Sequence, residues 1–347
     1  MNEKRIDPVE SFDSFYQVFK QAEEFTGESQ QHFFNIAGFE IELRFANSAL
    51  VRQITPGLAH LKSQPKDSPA LTVCIWDSVS TGEQMPAPPW SQQQFNARGE
   101  VRGFYNEHIF LSFQPDRNIL NMLDTNRNLG LFWIRDSNDF PPNLRAVPLR
   151  PIFHWWMREN GLLFVHAAAA GIKDSGVLIV GKGGSGKSSS ALACLTSGML
   201  YLGDDHVLIK TDPEPSIFSL YSAARMDELL LDTLKVKSKL FDNTRVKKED
   251  KALIFLNQLV PSQLVPGLPM QAVIVPSVTD KPETSITPVS SMAAVRALAP
   301  STIFMLSGAG KKELSEMVKI VQNVSCFSLQ IGNNLWDVPE LILQILS

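Results

Sequence analysis

Residues 8–26, "PVESFDSFYQVFKQAEEFT", set Phe12, Phe15, Phe19 and Phe25 at roughly helical spacing among polar neighbours, so the chain opens on an amphipathic helix. The period then shortens. Alternating or β-rich runs follow at 39–46, 70–78, 101–113 and 128–136, separated by breaks such as "SQPKDSP" and "MPAPPWS". The pattern predicts a β-rich α+β N-terminal domain over residues 1–148. "RPIFHWWMRENG" next reads as a helix with an aromatic face, closed by Gly161.

From "LLFVHAAAAGI" onward, strand-like runs alternate with helical ones, the mark of a mostly parallel or mixed α/β layer over 149–347. Strands are predicted at 176–180, 199–203 and in "VLIK", then at 251–256, 270–278, 301–307 and 326–331. Helices are predicted at 186–195, 311–322 and 338–346. The charged stretch "KVKSKLFDNTRVKKEDK" (235–251) reads either as a solvated loop or as a lid that closes over substrate.

Composition narrows the classes. The chain has 347 residues, 44% hydrophobic and 20% charged, which suits two modest globular domains or one large α/β unit. A net charge of −4 without a long basic run argues against a broad nucleic-acid footprint. The N-terminus lacks the apolar core of a signal peptide and no apolar run is long enough to cross a bilayer, so a soluble, cytoplasmic protein with no membrane partner is expected. Cys74, Cys194 and Cys326 are scattered and odd in number, which predicts buried inert thiols and neither a disulfide framework nor a zinc site.

The chemistry concentrates in "VLIVGKGGSGKSSSALACLTSGMLYLGDDHVLI" (177–209). Gly181, Gly183, Gly184, Ser185, Gly186, Lys187 and Ser188 satisfy G-x-x-x-x-G-K-[ST], with a strand before and a helix after. Glycines let backbone N–H groups converge on phosphate oxygens, and the helix start adds its dipole. Lys187 would meet the β- and γ-phosphates of ATP, and the Ser188 hydroxyl would join the shell of Mg²⁺. The strand 199–203 should return to the loop edge and deliver Asp204 and Asp205 there. One carboxylate can hold the metal while the other accepts a proton from an attacking hydroxyl; alternatively, one of them is a turn residue that satisfies backbone amides. His166, ending "LLFVH", is either a core histidine or a second group at this edge. Arg225 is either a surface residue or a counter-charge for a transferring phosphoryl group.

These residues resemble the catalytic core of HPr kinase/phosphorylase and the broader HPr-kinase-like serine kinases, which share a P-loop fold with phosphoenolpyruvate carboxykinase. The likeness covers roughly 161–210, where a histidine precedes the loop strand and a later strand ends in Asp-Asp. It implies an ATP- and Mg²⁺-dependent kinase acting on a serine-type hydroxyl, with Asp204 as general base, Asp205 as metal ligand and His166 near the phosphates. This chain departs from that family at Ser189, where a glutamate is expected, and it lacks the C-terminal signature and basic helix that dock HPr, so HPr itself is not the expected acceptor.

Competing readings are a non-catalytic nucleotide-binding regulator, a kinase of a small-molecule alcohol, and a phosphorylase or carboxykinase-type enzyme. The N-terminal domain is left by elimination for acceptor recognition. The loop "SGAGKKE" (307–313) is a contributor to base binding by position alone, and a homo-oligomer is left open.

Overall fold

The computed structural model describes residues 7–65, 67–90, 94, 101, 107–226, 252–306 and 309–347. The chain divides into two compact units, Met1–Asn160 and Gly161–Ser347. The helix Arg150–Glu159 therefore belongs with the first unit, twelve residues beyond the boundary expected from the sequence. The molecule is mixed α/β, with several sheets and helices.

In the first unit the helix Pro8–Thr26 is capped by Asp7, whose carboxylate accepts from the backbone N–H groups of Val9 and Glu10. Strands β1 (Gln30–Ile36), β2 (Phe39–Phe45), β3 (Leu71–Asp77), β4 (Ile109–Gln114), β5 (Ile119–Asp124) and β6 (Leu129–Ile134) form one sheet in the order β1-β2-β3-β6-β5-β4. Phe12, Phe15, Phe19 and Ala22 pack on one face against Trp76, Leu120, Met122 and Trp133. Phe25 falls outside that stripe and is 73% exposed, because the 12-15-19-22 series already defines the buried face. The helix Arg150–Glu159 packs on the same sheet, with Trp155 stacked on Phe110 at 5.7 Å.

The second unit holds β7 (Leu163–Val165), β8 (Ala168–Ile172), β9 (Ser175–Ile179), β10 (Leu200–Gly203), β11 (Val207–Lys210), β12 (Ser216–Phe218), β13 (Ala223–Met226), β14 (Ala252–Phe255), β15 (Gly267–Val278), β16 (Ser285–Pro288) and β17 (Ser325–Ile331). Among the described residues, nine of these make one sheet, and β13 pairs with β14 in a separate ribbon. β15 is parallel to β9 and to β17, whereas β8 is antiparallel to both β9 and β10. Alternation along β9 shows two covered faces. Val177 and Ile179 join the core under the helices Lys187–Thr196 and Val338–Leu346, while Leu178 and Val180 join the core under Ser291–Met305 and Lys311–Gln322.

Over its described residues, 301–306, the strand expected at 301–307 does not form. Residues 301–305 continue the helix Ser291–Met305 through Pro300, with Ala294, Val295, Leu298, Ala299 and Thr302 buried at helical spacing. That stripe on the sheet outweighs both the β-branched run and the missing amide of Pro300. The three thiols are free and buried, and burial pushes Cys194 up to about 12. Among the described residues no helix is long and apolar enough to cross a membrane.

Candidate active site around the glycine-rich loop

Topology brings distant segments to one sheet edge. β9 ends at Ile179, and the Val180 amide donates to the Ile274 carbonyl (2.9 Å) before the chain turns into the loop. After the helix Lys187–Thr196, β10 runs antiparallel to β8, which is itself antiparallel to β9. β10 therefore points the same way as β9, one strand removed. Gly203 pairs with Ala169, and Ala169 with Leu178, so β10 ends level with the last turn of β9 and Asp204 and Asp205 emerge on the loop side. β7 ends at Val165, opposite Val207, and the chain re-enters the sheet at Ala168 opposite Ile179. His166 falls in that crossing, at the same edge.

The loop has the backbone its motif requires. Gly184 and Gly186 have φ of +78° and +101°, a region costly for residues with a Cβ. Open space lies over Gly183 and Gly184. Gly186 caps the helix with no side-chain hydrogen bond to its first turn. That leaves the first backbone amides to a ligand or to water. Among the described residues Ser185 Oγ is buried with no hydrogen-bond partner. A hydroxyl without a partner among those residues, open glycines and a helix start without a side-chain cap suit a phosphate group.

Lys187 is only 6% exposed, and its Nζ donates to the carbonyls of Gly181 (2.8 Å) and Lys182 (3.2 Å). Burial lowers its pKa, and the negative charges of Asp204 and Asp205 oppose that shift. The lysine thus shares an electrostatic field with the aspartate pair. Ser188 and Ser189 are half-buried in the first turn of the helix.

The two aspartates differ sharply. Asp204 is buried at 6% exposure, whereas the Asp205 side chain is 45% exposed. His166 Nε2 lies 3.1 Å from Asp205 Oδ1, and His206 Nδ1 lies 3.8 Å from Oδ2. Burial alone would raise the Asp205 carboxyl. The hydrogen bond from His166, with the charges of His206, His166 and Arg225, outweighs it and holds the group well below the usual carboxylate range. His166 is fixed in turn, because its backbone N–H donates to Thr302 Oγ1 at 3.2 Å. Arg225 is exposed near the end of β13, in the separate ribbon with β14.

The sequence pattern does not single out His206, although it directly follows the aspartates in "GDDH". It is 1% exposed, with its ring 5.1 Å from Phe164 and 5.6 Å from His166. Its neighbourhood to His166 depends on β7 pairing with β11, a long-range contact with no local signature. Among the described residues no group of three or more His, Cys, Asp and Glu side chains is arranged to hold a metal ion. Residues 235–251, read as a solvated loop or a lid, lie outside the described residues, as do Ser307 and Gly308 of the 307–313 loop.

No protein-family model matches the chain, and no curated protein matches it. Among solved structures, the Hpr(Ser) kinase/phosphatase from Coxiella burnetii is similar at 13% identity and a TM-score of 0.28, over 52% of this chain and 92% of that one. That is a distant likeness.

Proposed function

We infer that the chain is an ATP-dependent phosphotransferase that moves the γ-phosphoryl group to a hydroxyl, with a serine of a peptide or small protein as the favoured acceptor. One observation carries the reading: β9 and β10 end level at one sheet edge, so the glycine-rich loop with Lys187 and the pair Asp204–Asp205 emerge on the same side. A loop and lysine alone would serve any nucleotide binder. A carboxylate pair at the same edge adds the means to hold a metal and to accept a proton.

The unlike surroundings of the two carboxylates support a division of labour. A carboxyl held as far down as Asp205 stays ionised and is a poor base, so it suits a cation. Asp205 and the Ser188 hydroxyl would hold Mg²⁺, with His166 orienting the carboxylate from behind. When bound, the ion neutralises charge on the β- and γ-phosphates. Few protein ligands are needed, since Mg²⁺ retains waters and phosphate oxygens in its shell. Asp204 is then the base. It takes the proton of the acceptor hydroxyl as that oxygen bonds to the γ-phosphorus, and the bond to the bridging oxygen breaks with its electron pair leaving on ADP. Lys187 exchanges its loop carbonyls for the phosphates, while Arg225 faces the charge that develops. The 1–148 region is assigned acceptor recognition, because the loop and the aspartates already account for ATP and metal.

The test is incubation with γ-labelled ATP and Mg²⁺ over a panel of serine peptides and small alcohols. Label in an acceptor is expected. Tight ATP binding without transfer to any acceptor would point instead to a nucleotide-binding regulator.

A further inference from the structure

β15 overruns the sheet beside the phosphate loop. Its pairing with β9 ends at Ile274–Ile179, while its pairing with β17 continues to Val278–Ile331. The overhanging end lies against the start of the loop helix. A Cβ built on Gly186 would sit 2.6 Å from Ile331 Cδ1, 3.5 Å from Val278 Cγ2 and 3.9 Å from Pro276 Cβ. Ile331 and Pro276 are buried, but Val278 is 64% exposed.

The overhang is pinned in place. Thr279 donates to the Ile331 carbonyl from its amide (2.8 Å) and its hydroxyl (3.2 Å), and the Asn333 amide donates to the Lys281 carbonyl (3.2 Å). Gly332 N–H donates to Thr284 Oγ1 at 3.1 Å. Val278 is therefore a fixed apolar surface. A single exposed valine is ordinary on a protein surface. Here Val278 Cγ2 would meet a Cβ on Gly186 at 3.5 Å, which sets the valine beside the start of the loop helix. A nucleotide anchored by its phosphates on that helix start still needs apolar surface for the face of its base, and ligand sites supply such surface with few polar groups.

Resting on the nucleotide-binding reading above, we propose that Val278, at the β15 overhang beside Gly186, is the apolar shelf on which the purine base of the bound nucleotide lies. The test compares ATP with inorganic tripolyphosphate, which has the same charge-bearing chain and no base. Calorimetric affinities would be measured with Mg²⁺ for the full chain and for Val278→Ala and Val278→Thr. Removing both methyls from an exposed position leaves the fold intact and should weaken ATP about three- to tenfold without moving tripolyphosphate. The near-isosteric threonine should keep most of the affinity. Unchanged ATP binding by Val278→Ala overturns the proposal, and so does an equal loss for both ligands, which would mean that Val278 acts on the loop. If wild type binds neither ligand, the nucleotide reading itself fails and the shelf fails with it.

Discussion

Replacing Lys187 by Met keeps the aliphatic stem and removes the ammonium. In the free protein that group donates to the carbonyls of Gly181 and Lys182 and is almost wholly buried. Losing two charge-assisted bonds costs up to about 3 kcal/mol, but a buried charge is removed as well, so the net loss should be about 1–2 kcal/mol. For a unit of this size that lowers the melting temperature by roughly 3–6 °C. Nucleotide affinity should suffer more. The ammonium's contacts with two phosphates, less the carbonyl bonds it gives up to reach them, are worth about 2–3 kcal/mol, or about 30- to 150-fold in Kd. Titration calorimetry with ATP and Mg²⁺ reads the second quantity, and a thermal melt without nucleotide reads the first. An affinity loss below threefold would show that Lys187 does not hold phosphate, whatever happens to the melt.

Two further predictions concern the first unit. Asp77 is fully buried and accepts from the Ser80 amide (2.9 Å) and the Ser137 amide (3.4 Å), so Asp77→Ala should cost about 2–4 kcal/mol in urea unfolding. A loss under 0.5 kcal/mol, roughly the scatter of surface substitutions, would contradict that role. Burial lowers the His60 pKa to about 4. The unfolded chain then binds protons below about pH 6.5 while the folded one stays neutral. Stability should therefore fall as the pH drops from about 6.5 towards 4, by about 2 kcal/mol after allowing for partial exposure of the ring. His60→Gln should flatten that part of the profile; an unchanged slope would remove His60 as its source.

Local pattern made the loop strand, the loop and its helix legible, because a glycine-rich turn between an apolar strand and a helix is written in consecutive residues. The expected helix at 186–195 forms at Lys187–Thr196, and the expected strand at 199–203 forms at Leu200–Gly203. Pairing order was not legible. Nothing local shows that β8 inserts between β9 and β10, or that β7 pairs with β11 and so sets His166 beside His206. The 301–307 run misled for a related reason: its helix is stabilised by a buried stripe on the sheet, and Pro300 hides that stripe from local inspection.

The central claim is that the loop and the aspartate pair form one phosphoryl-transfer site. Its most direct test is Asp204→Asn beside wild type, measuring ATP affinity and label transfer from γ-labelled ATP on the same samples. The account predicts ATP affinity within about threefold of wild type and transfer reduced by at least 100-fold, the usual weight of a general base. Wild-type transfer by Asp204→Asn would contradict it.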